Sequence, residues 1–182
     1  MATRKEAQRK SLLQLLALVI AVVVIIVGAV LVQNWLNSRP GKDPAEVSIT
    51  AQVGDESLEV FPYLSCEPGT QCPEGTVPHL EVGADQTLVL ELPEDIARHQ
   101  WKLLTIYDDP AANDEQLHGA GETTRVEIPG SVAAIEASSG KPARLAVVEV
   151  STVLIGTDAD GEETPKATVW SLSTLAEFAD AP

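Results

Sequence analysis

The residues best suited to acid–base or metal chemistry in this chain are its three histidines. His79, His99 and His118 occur on three separate segments, and their surroundings match no metal-ligand motif. The sequence contains no G-x-S-x-G elbow, H-E-x-x-H motif, phosphate-binding loop or dinucleotide fingerprint. We therefore interpret the histidines as packing or solvated residues, and we expect neither an enzyme nor a metal or cofactor site.

Two acidic segments are the next candidates, because clustered carboxylates can bind a hard cation. The first is Asp158 to Glu163, and the second spans Asp108 to Glu115. An EF-hand loop places Gly at its sixth position and Glu at its twelfth, whereas Gly161 is only the fourth residue of its segment. The spacing therefore predicts solvated loops, the first of them the tip of a hairpin.

The two cysteines, Cys66 and Cys72, lie close together in a turn-rich stretch without the CxxC spacing of a redox motif. They predict a disulfide if this part of the chain lies in an oxidising compartment. Two free thiols remain the alternative in a reducing compartment.

Charge excludes one class of function. After Lys42 the chain has six basic and 26 acidic residues, a formal charge of −20. Such a surface repels nucleic acid and anionic headgroups and favours cationic partners. Nucleic-acid binding is therefore excluded.

An apolar run near the N-terminus predicts a transmembrane helix over residues 12–36. The segment from Leu15 to Val32 has no polar side chain, and with Leu12 and Leu13 the run spans about 31 Å as a helix. That length matches the hydrocarbon core of a bilayer. We interpret Trp35 as an interfacial aromatic residue. The predicted membrane contacts are Leu15, Ile20, Ile25, Val32 and Trp35.

The basic residues around this helix predict its orientation. Arg4, Lys5, Arg9 and Lys10 precede it, whereas only Arg39 and Lys42 follow closely. Positive charge stays on the cytoplasmic side, so residues 1–11 are expected in the cytoplasm and the rest of the chain outside. A cleavable signal sequence has the same charge layout but a shorter apolar core, so we favour a retained single-pass anchor in the plasma membrane.

Beyond a Pro- and Gly-containing linker at residues 37–44, the pattern predicts one β domain over residues 45–182. Period-two alternation and β-branched residues recur between turn signals about ten residues apart, which is typical of an antiparallel, immunoglobulin-like β-sandwich. Leu88, Leu90 and Leu92 share one predicted buried face. The predicted strands are Glu46–Val53, Ser57–Phe61, Pro78–Val82, Gln86–Leu92, Trp101–Tyr107, Thr124–Ile128, Arg144–Ile155 and Ala167–Leu172.

The remaining segments predict little helix and one long loop. Pro93 to Gln100 suits a single helical turn, and Ser173 to Ala179 suits a short C-terminal helix. Asp108 to Gly121 lacks apolar periodicity and is expected to be a mobile loop. Large aromatic side chains usually belong to a sandwich core, but they also form contact pockets. The candidate partner or lipid contacts are Trp101, Trp170 and Tyr107.

The segment Leu92–Trp101 (LPEDIARHQW), preceded by QTLVLE and followed by LLTIYD, resembles a family of membrane-anchored proteins of unassigned function from mycolate-producing actinobacteria. As we identify it, that family includes the trehalose monomycolate transport factor TtfA. The resemblance implies a non-catalytic accessory protein of cell-envelope lipid transport that docks on an MmpL-type transporter. The alternative is an extracytoplasmic lipid- or glycolipid-binding module without a transporter partner, which requires an apolar cleft between the sheets.

Overall fold

The computed structural model describes residues 4–37, 42–133, 140–158 and 160–175. The chain divides into two compact units, Met1–Pro40 and Gly41–Pro182. The first unit contains one long helix, α1 (Arg4–Asn37). Its leucine, alanine and valine residues leave no polar group that competes with the helical hydrogen bonds, and no proline interrupts them.

The side chains of Ile20, Ile25 and Val32 are exposed on α1, whereas those of Leu15 and Trp35 lie outside the described residues. In the part of the chain that the structure describes, no helix is long and apolar enough to cross a membrane. The membrane span and its orientation stay predictions.

The second unit is the predicted antiparallel β-sandwich, built from two sheets and a four-residue helix, α2 (Glu94–Ala97). One sheet has four strands in the order β2-β1-β4-β7, and the other has the order β3-β10-β9-β5-β6, with β8 beside β9. The strands are β1 (Ile49–Val53), β2 (Glu56–Val60), β3 (Leu64–Cys66), β4 (Thr87–Glu91), β5 (Trp101–Tyr107), β6 (Asp114–His118), β7 (Arg125–Pro129), β8 (Ser131–Val132), β9 (Ala143–Thr157) and β10 (Glu163–Ser173).

The core forms between the inner faces of the two sheets, where alternate side chains point inward. Leu88 and Leu90 are fully buried and Leu92 nearly so, which confirms the face predicted from their alternation. Strand β5 is buried at every second residue from Trp101 to Tyr107 and has the predicted bounds.

Several predicted elements differ from the observed ones. Pro78–Val82 is not a strand, although Leu80 and Val82 are buried and His79 forms a single bridge with Ser173. The loop predicted from Asp108 to Gly121 contains β6 and a 3₁₀ turn, Pro110–Ala112. Ser173, predicted to open a C-terminal helix, ends β10, and residues 176–182 lie outside the described residues.

The domain begins inside the predicted linker. Asp43 caps the 3₁₀ helix Pro44–Glu46 by accepting a hydrogen bond from the Ala45 amide, and Pro44 is buried. The predicted hairpin turn is also present: Gly161 has a φ of +83° in the connection between β9 and β10, which a residue with a side chain rarely adopts. Asp160 and Gly161 therefore form the hairpin tip that their sequence predicts.

Candidate functional site

The predicted disulfide is present. Cys66 ends β3, where it lies opposite Ala167 of β10, and it is bonded to Cys72. The bridge closes a short loop after the edge strand of the larger sheet. Sequence proximity alone therefore predicted this pairing correctly.

Both candidate tryptophans are core residues. Trp170 is fully buried, and its indole N–H donates a 2.7 Å hydrogen bond to the carbonyl oxygen of Val47, so its one polar atom is satisfied. Trp101 is 1 % exposed, and its Nε1 has no hydrogen-bond partner among the described residues. Because both side chains are buried, neither has surface available for contact with a partner or a lipid. Their contact role stays a prediction that the observed burial does not support.

Tyr107 lies at the edge of the core, beside an opening between the two sheets. Its hydroxyl donates to the carbonyl oxygen of Pro129 at 3.4 Å, and its amide donates to Oδ1 of Asn113. Burial, followed by the negative charge of Asp114, raises the pKa of Tyr107 above its ordinary value of 10.0. The phenol is therefore held in its neutral form by its surroundings.

The opening beside Tyr107 is a cleft of about 310 Å³, here called the edge groove. Its floor is β5, and its two rims are β6 from the larger sheet and β7 from the smaller one. The groove is at the small end of the size range of ligand sites, and it combines an apolar floor with polar side chains along one rim. Its main lining residues are Leu103, Tyr107, Asp114, Gln116, Val126 and Ile128.

His118 ends β6 opposite Trp101 of β5, and its ring packs on the indole ring. The two rings stack with centroids 4.1 Å apart and an angle of 19° between their planes. Both ring nitrogens of His118 are buried and lack a hydrogen-bond partner among the described residues, and Nδ1 is 3.8 Å from Oε1 of Glu122. His118 is therefore a packing residue with unsatisfied polar atoms.

The outer surfaces of the two sheets differ in polarity. Alternate residues of the smaller sheet present Thr50, Gln52, Glu59, Thr87 and Arg125 to solvent. The larger sheet instead presents aliphatic side chains on several neighbouring strands, which the pairing register places on one face together with the polar residues Lys102, Glu149 and Ser151. This surface, here called the apolar face, comprises Leu64, Leu104, Val147, Val153, Ile155 and Val169.

The carboxylates of both acidic segments accept hydrogen bonds from backbone amides. Asp158 Oδ1 accepts hydrogen bonds from the amides of Asp160 and Glu162, so it stabilises the hairpin tip. Asp109 caps the 3₁₀ turn through the amide of Ala111, and Asp108 accepts from the amide of Arg144. Within the described ranges, no group of three or more His, Cys, Asp or Glu side chains is arranged to hold a metal ion.

Sequence reasoning missed the edge groove and the apolar face. The groove depends on β6, whose sequence DEQLH has no alternation that predicts a strand. The apolar face had a partial signal in the β9 segment VVEVSTVLI, because aliphatic residues there occupy both alternate sets. Such a run indicates a strand that is apolar on both faces, although it does not say what covers the second face.

Comparison with known proteins places the domain in a family. The model of the family described as "Protein of unknown function (DUF2771)" matches residues 42–175. Uncharacterized proteins of Mycobacterium tuberculosis and Mycobacterium bovis are 28% identical over 145 residues, which cover 78% of this chain and 85% of each relative. No solved structure matches this chain.

Proposed function

Since the chain belongs to the DUF2771 family of proteins of unknown function, we propose that it is a non-catalytic interaction protein held at a cell membrane by α1. It docks on a neighbouring membrane protein through the apolar face. The observation that carries this proposal is the contrast between the polar outer surface of the smaller sheet and the aliphatic outer surface of the larger one.

The contrast matters because an exposed apolar surface has a free-energy cost that a partner can remove. Val153 and Ile155 are 51 % and 56 % exposed, and they lie near Val169 and Leu64 on the same face. Burying the exposed half of each side chain against a partner would contribute roughly 1 kcal/mol per residue to the free energy of docking. Contiguous apolar surface of this kind is typical of interaction sites on folded domains.

Support for the membrane location comes from the sequence of α1 and from the disulfide. The apolar run from Leu15 to Val32 has the length that a bilayer requires, and four basic residues precede it. A structural disulfide such as Cys66–Cys72 is typical of proteins outside the cytoplasm. Both features favour a plasma-membrane protein whose β domain lies on the outer side.

In its more specific form, the proposal assigns the protein as an accessory subunit of trehalose monomycolate transport that docks on an MmpL-type transporter. Its support is the resemblance of the Leu92–Trp101 segment to the family in which we place TtfA, and the occurrence of relatives in mycobacteria.

Site-specific cross-linking tests the docking. A photoreactive amino acid at Val153 in the full-length protein, expressed in its native membrane, should cross-link to an MmpL-type transporter. The matched control carries the same amino acid at Thr87 on the polar outer face of the smaller sheet and should give no such product. Equal products from both positions, or no transporter product from Val153, would reject docking through the apolar face.

We favour protein docking over the alternative of a lipid- or glycolipid-binding module. The space between the sheets is filled by Trp101, Trp170 and the aliphatic core, and the cleft beside Tyr107 has only about 310 Å³. Native mass spectrometry of the full-length protein distinguishes the two functions, since a co-purified glycolipid at unit stoichiometry would favour the alternative.

A further inference from the structure

The edge groove separates two edge strands that belong to different sheets. Strand β6 contributes Asp114 and Gln116, and β7 contributes Val126 and Ile128. The pairing register places Asp114 and Gln116 opposite Thr105 and Leu103, so their side chains lie on the inner face of the sheet. Because the inner side chains of β6 are polar, they do not pack against the apolar residues of β7, and the groove between the two strands stays open. Apolar inner side chains would close it.

The backbone of β6 is available for a further strand. The amide of Tyr107 points toward β6, because it donates to Oδ1 of Asn113, while the amide of Asp108 points toward β9. Hydrogen-bonding directions alternate along an antiparallel strand, so the backbone groups of Glu115 and Leu117 point away from β5. Among the described residues, nothing forms a hydrogen bond with them.

On the opposite rim, strand pairing is blocked at Arg125 and Pro129, the two outward-facing positions on either side of Glu127. The amide of Gly130 donates to the carbonyl oxygen of Gln86, on the side of β4. Because hydrogen-bonding directions alternate along a strand, the backbone groups of Arg125 and Pro129 point away from β4, toward the groove. Thr123 Oγ1 accepts from the amide of Arg125 and donates to its carbonyl oxygen, and Pro129 has no amide hydrogen. Proline is a known protection of edge strands, and β6 has none. Its inward-pointing Asp114 disfavours pairing with a neutral or acidic strand, but not with a cationic one.

Charge around the groove selects the partner. Asp114, Glu115 and Glu127 are exposed along its rims. Two of these acids already have cationic partners: Lys102 is 3.2 Å from Glu115, and Arg125 is 3.4 Å from Glu127 as well as 2.9 Å from Glu91. The carboxylate of Asp114 accepts a hydrogen bond only from the side-chain Nε2 of Gln116 among the described residues, so a basic ligand gains more here than a neutral or acidic one.

We propose that β6 pairs with an extended cationic segment of a partner protein, which adds a strand to the larger sheet and inserts alternate side chains into the edge groove, a cationic one beside Asp114 and an apolar one beside Val126 and Ile128. Main-chain hydrogen bonds to Glu115 and Leu117 hold the segment, and the groove selects its apolar side chains. This inference rests on the groove and its rims, and it stands whether or not the apolar face docks a transporter.

A backbone substitution isolates strand addition from ordinary contact. In Leu117→Pro the outward amide hydrogen is lost while the bonds of β6 to β5 remain, since proline is tolerated where the amide faces solvent. Leu117→Ala is the matched control, because it loses the same side chain and keeps the amide. The probe is a labelled peptide of repeating Lys-Lys-Val-Val, which as a strand presents both lysine and valine on each face. Its binding to full-length protein in a neutral detergent is measured by fluorescence anisotropy.

Wild-type protein and Leu117→Ala should bind the peptide with similar affinity, whereas Leu117→Pro should bind about tenfold more weakly. Peptide binding should also slow hydrogen exchange at the amides of Glu115 and Leu117 in wild-type protein, a readout that does not depend on the folding of any variant. Equal affinity of the proline and alanine variants, or unchanged exchange in β6, would overturn strand addition.

Two further comparisons test whether charge selects the bound segment. Asp114→Asn keeps the shape of the side chain and should weaken the lysine peptide severalfold, while Glu59→Gln on the outer face of the smaller sheet should not. A matched peptide of glutamate and valine should fail to bind. If the acidic peptide binds equally, or if β6 of a second copy of this chain or detergent occupies the groove instead, a cationic partner segment is rejected.

Discussion

The indole ring of Trp101 and the imidazole ring of His118 stack at 4.1 Å, although they come from different strands of one sheet. Both nitrogens of the imidazole and the nitrogen of the indole are buried without a hydrogen-bond partner among the described residues. The contact therefore depends on ring packing alone and carries a desolvation cost.

This relationship predicts opposite effects for two substitutions of His118. His118→Phe keeps a stacked ring and removes two unsatisfied polar atoms, each of which costs about 1 to 3 kcal/mol when buried. It should therefore unfold at an equal or higher denaturant concentration than wild type. His118→Ala exposes the face of Trp101 and should lose about 1 to 2 kcal/mol. Tryptophan fluorescence during urea unfolding measures both, and a phenylalanine variant less stable than the alanine variant would contradict this account.

The two buried tryptophans make a second, internally controlled prediction. Trp170→Phe and Trp101→Phe remove the same atoms, but only Trp170 donates a hydrogen bond, and its loss leaves the carbonyl oxygen of Val47 unsatisfied. Trp170→Phe should therefore cost about 1 to 3 kcal/mol more than Trp101→Phe in free energy of unfolding. Equal losses would show that the 2.7 Å hydrogen bond has no net effect on stability.

Tyr107 predicts how stability depends on alkaline pH. Its pKa is raised in the folded protein, mainly by burial and then by Asp114, so the unfolded chain loses this proton at a lower pH than the folded domain does. The contribution of Tyr107 to stability is fully present below about pH 10, and it is lost as the pH rises through the pKa of Tyr107 in the folded protein.

Tyr107→Phe should remove that part of the alkaline loss. Urea unfolding in the neutral range and above about pH 10 should show a smaller decrease for the variant than for wild type. Tyr63, whose pKa is raised chiefly by a hydrogen bond with Glu74, remains in both proteins and serves as the common background. An identical decrease in both proteins would place the alkaline sensitivity elsewhere.

Gly130 is a position where the backbone tolerates no side chain. It follows β7 directly, its amide donates to Gln86, and its carbonyl accepts from Leu145. A Cβ atom there would overlap the carbonyl oxygen of Gly83 and crowd a methyl group of Val82. Gly130→Ala should therefore lose about 3 kcal/mol or more, because backbone must move.

The matched control is Gly119→Ala, where a Cβ would meet only a Glu122 carboxylate oxygen at 3.4 Å. That variant should change stability by less than about 1 kcal/mol. Thermal unfolding followed by circular dichroism compares the two, and similar melting temperatures would contradict the close approach of Gly130 to Gly83.

Alternation along the chain was sufficient to predict the sandwich. Where every second residue is apolar, as in β5 and around Leu88 and Leu90, the inner face can be read directly, because successive side chains of a strand point to opposite sides. The disulfide and the hairpin tip at Gly161 were predictable for a similar reason, since proximity in sequence determines each.

Only the tertiary structure decided the features that depend on neighbouring strands. Strand β6 has polar residues on its inner face, and hydrogen bonds to β5 place it in the sheet in spite of its pattern. The apolar face arises because register brings Leu64, Val153 and Val169 together from three strands. Pairing partners are distant in sequence, so local patterns establish which residues are strands, while the fold decides which strands meet and which surfaces stay open.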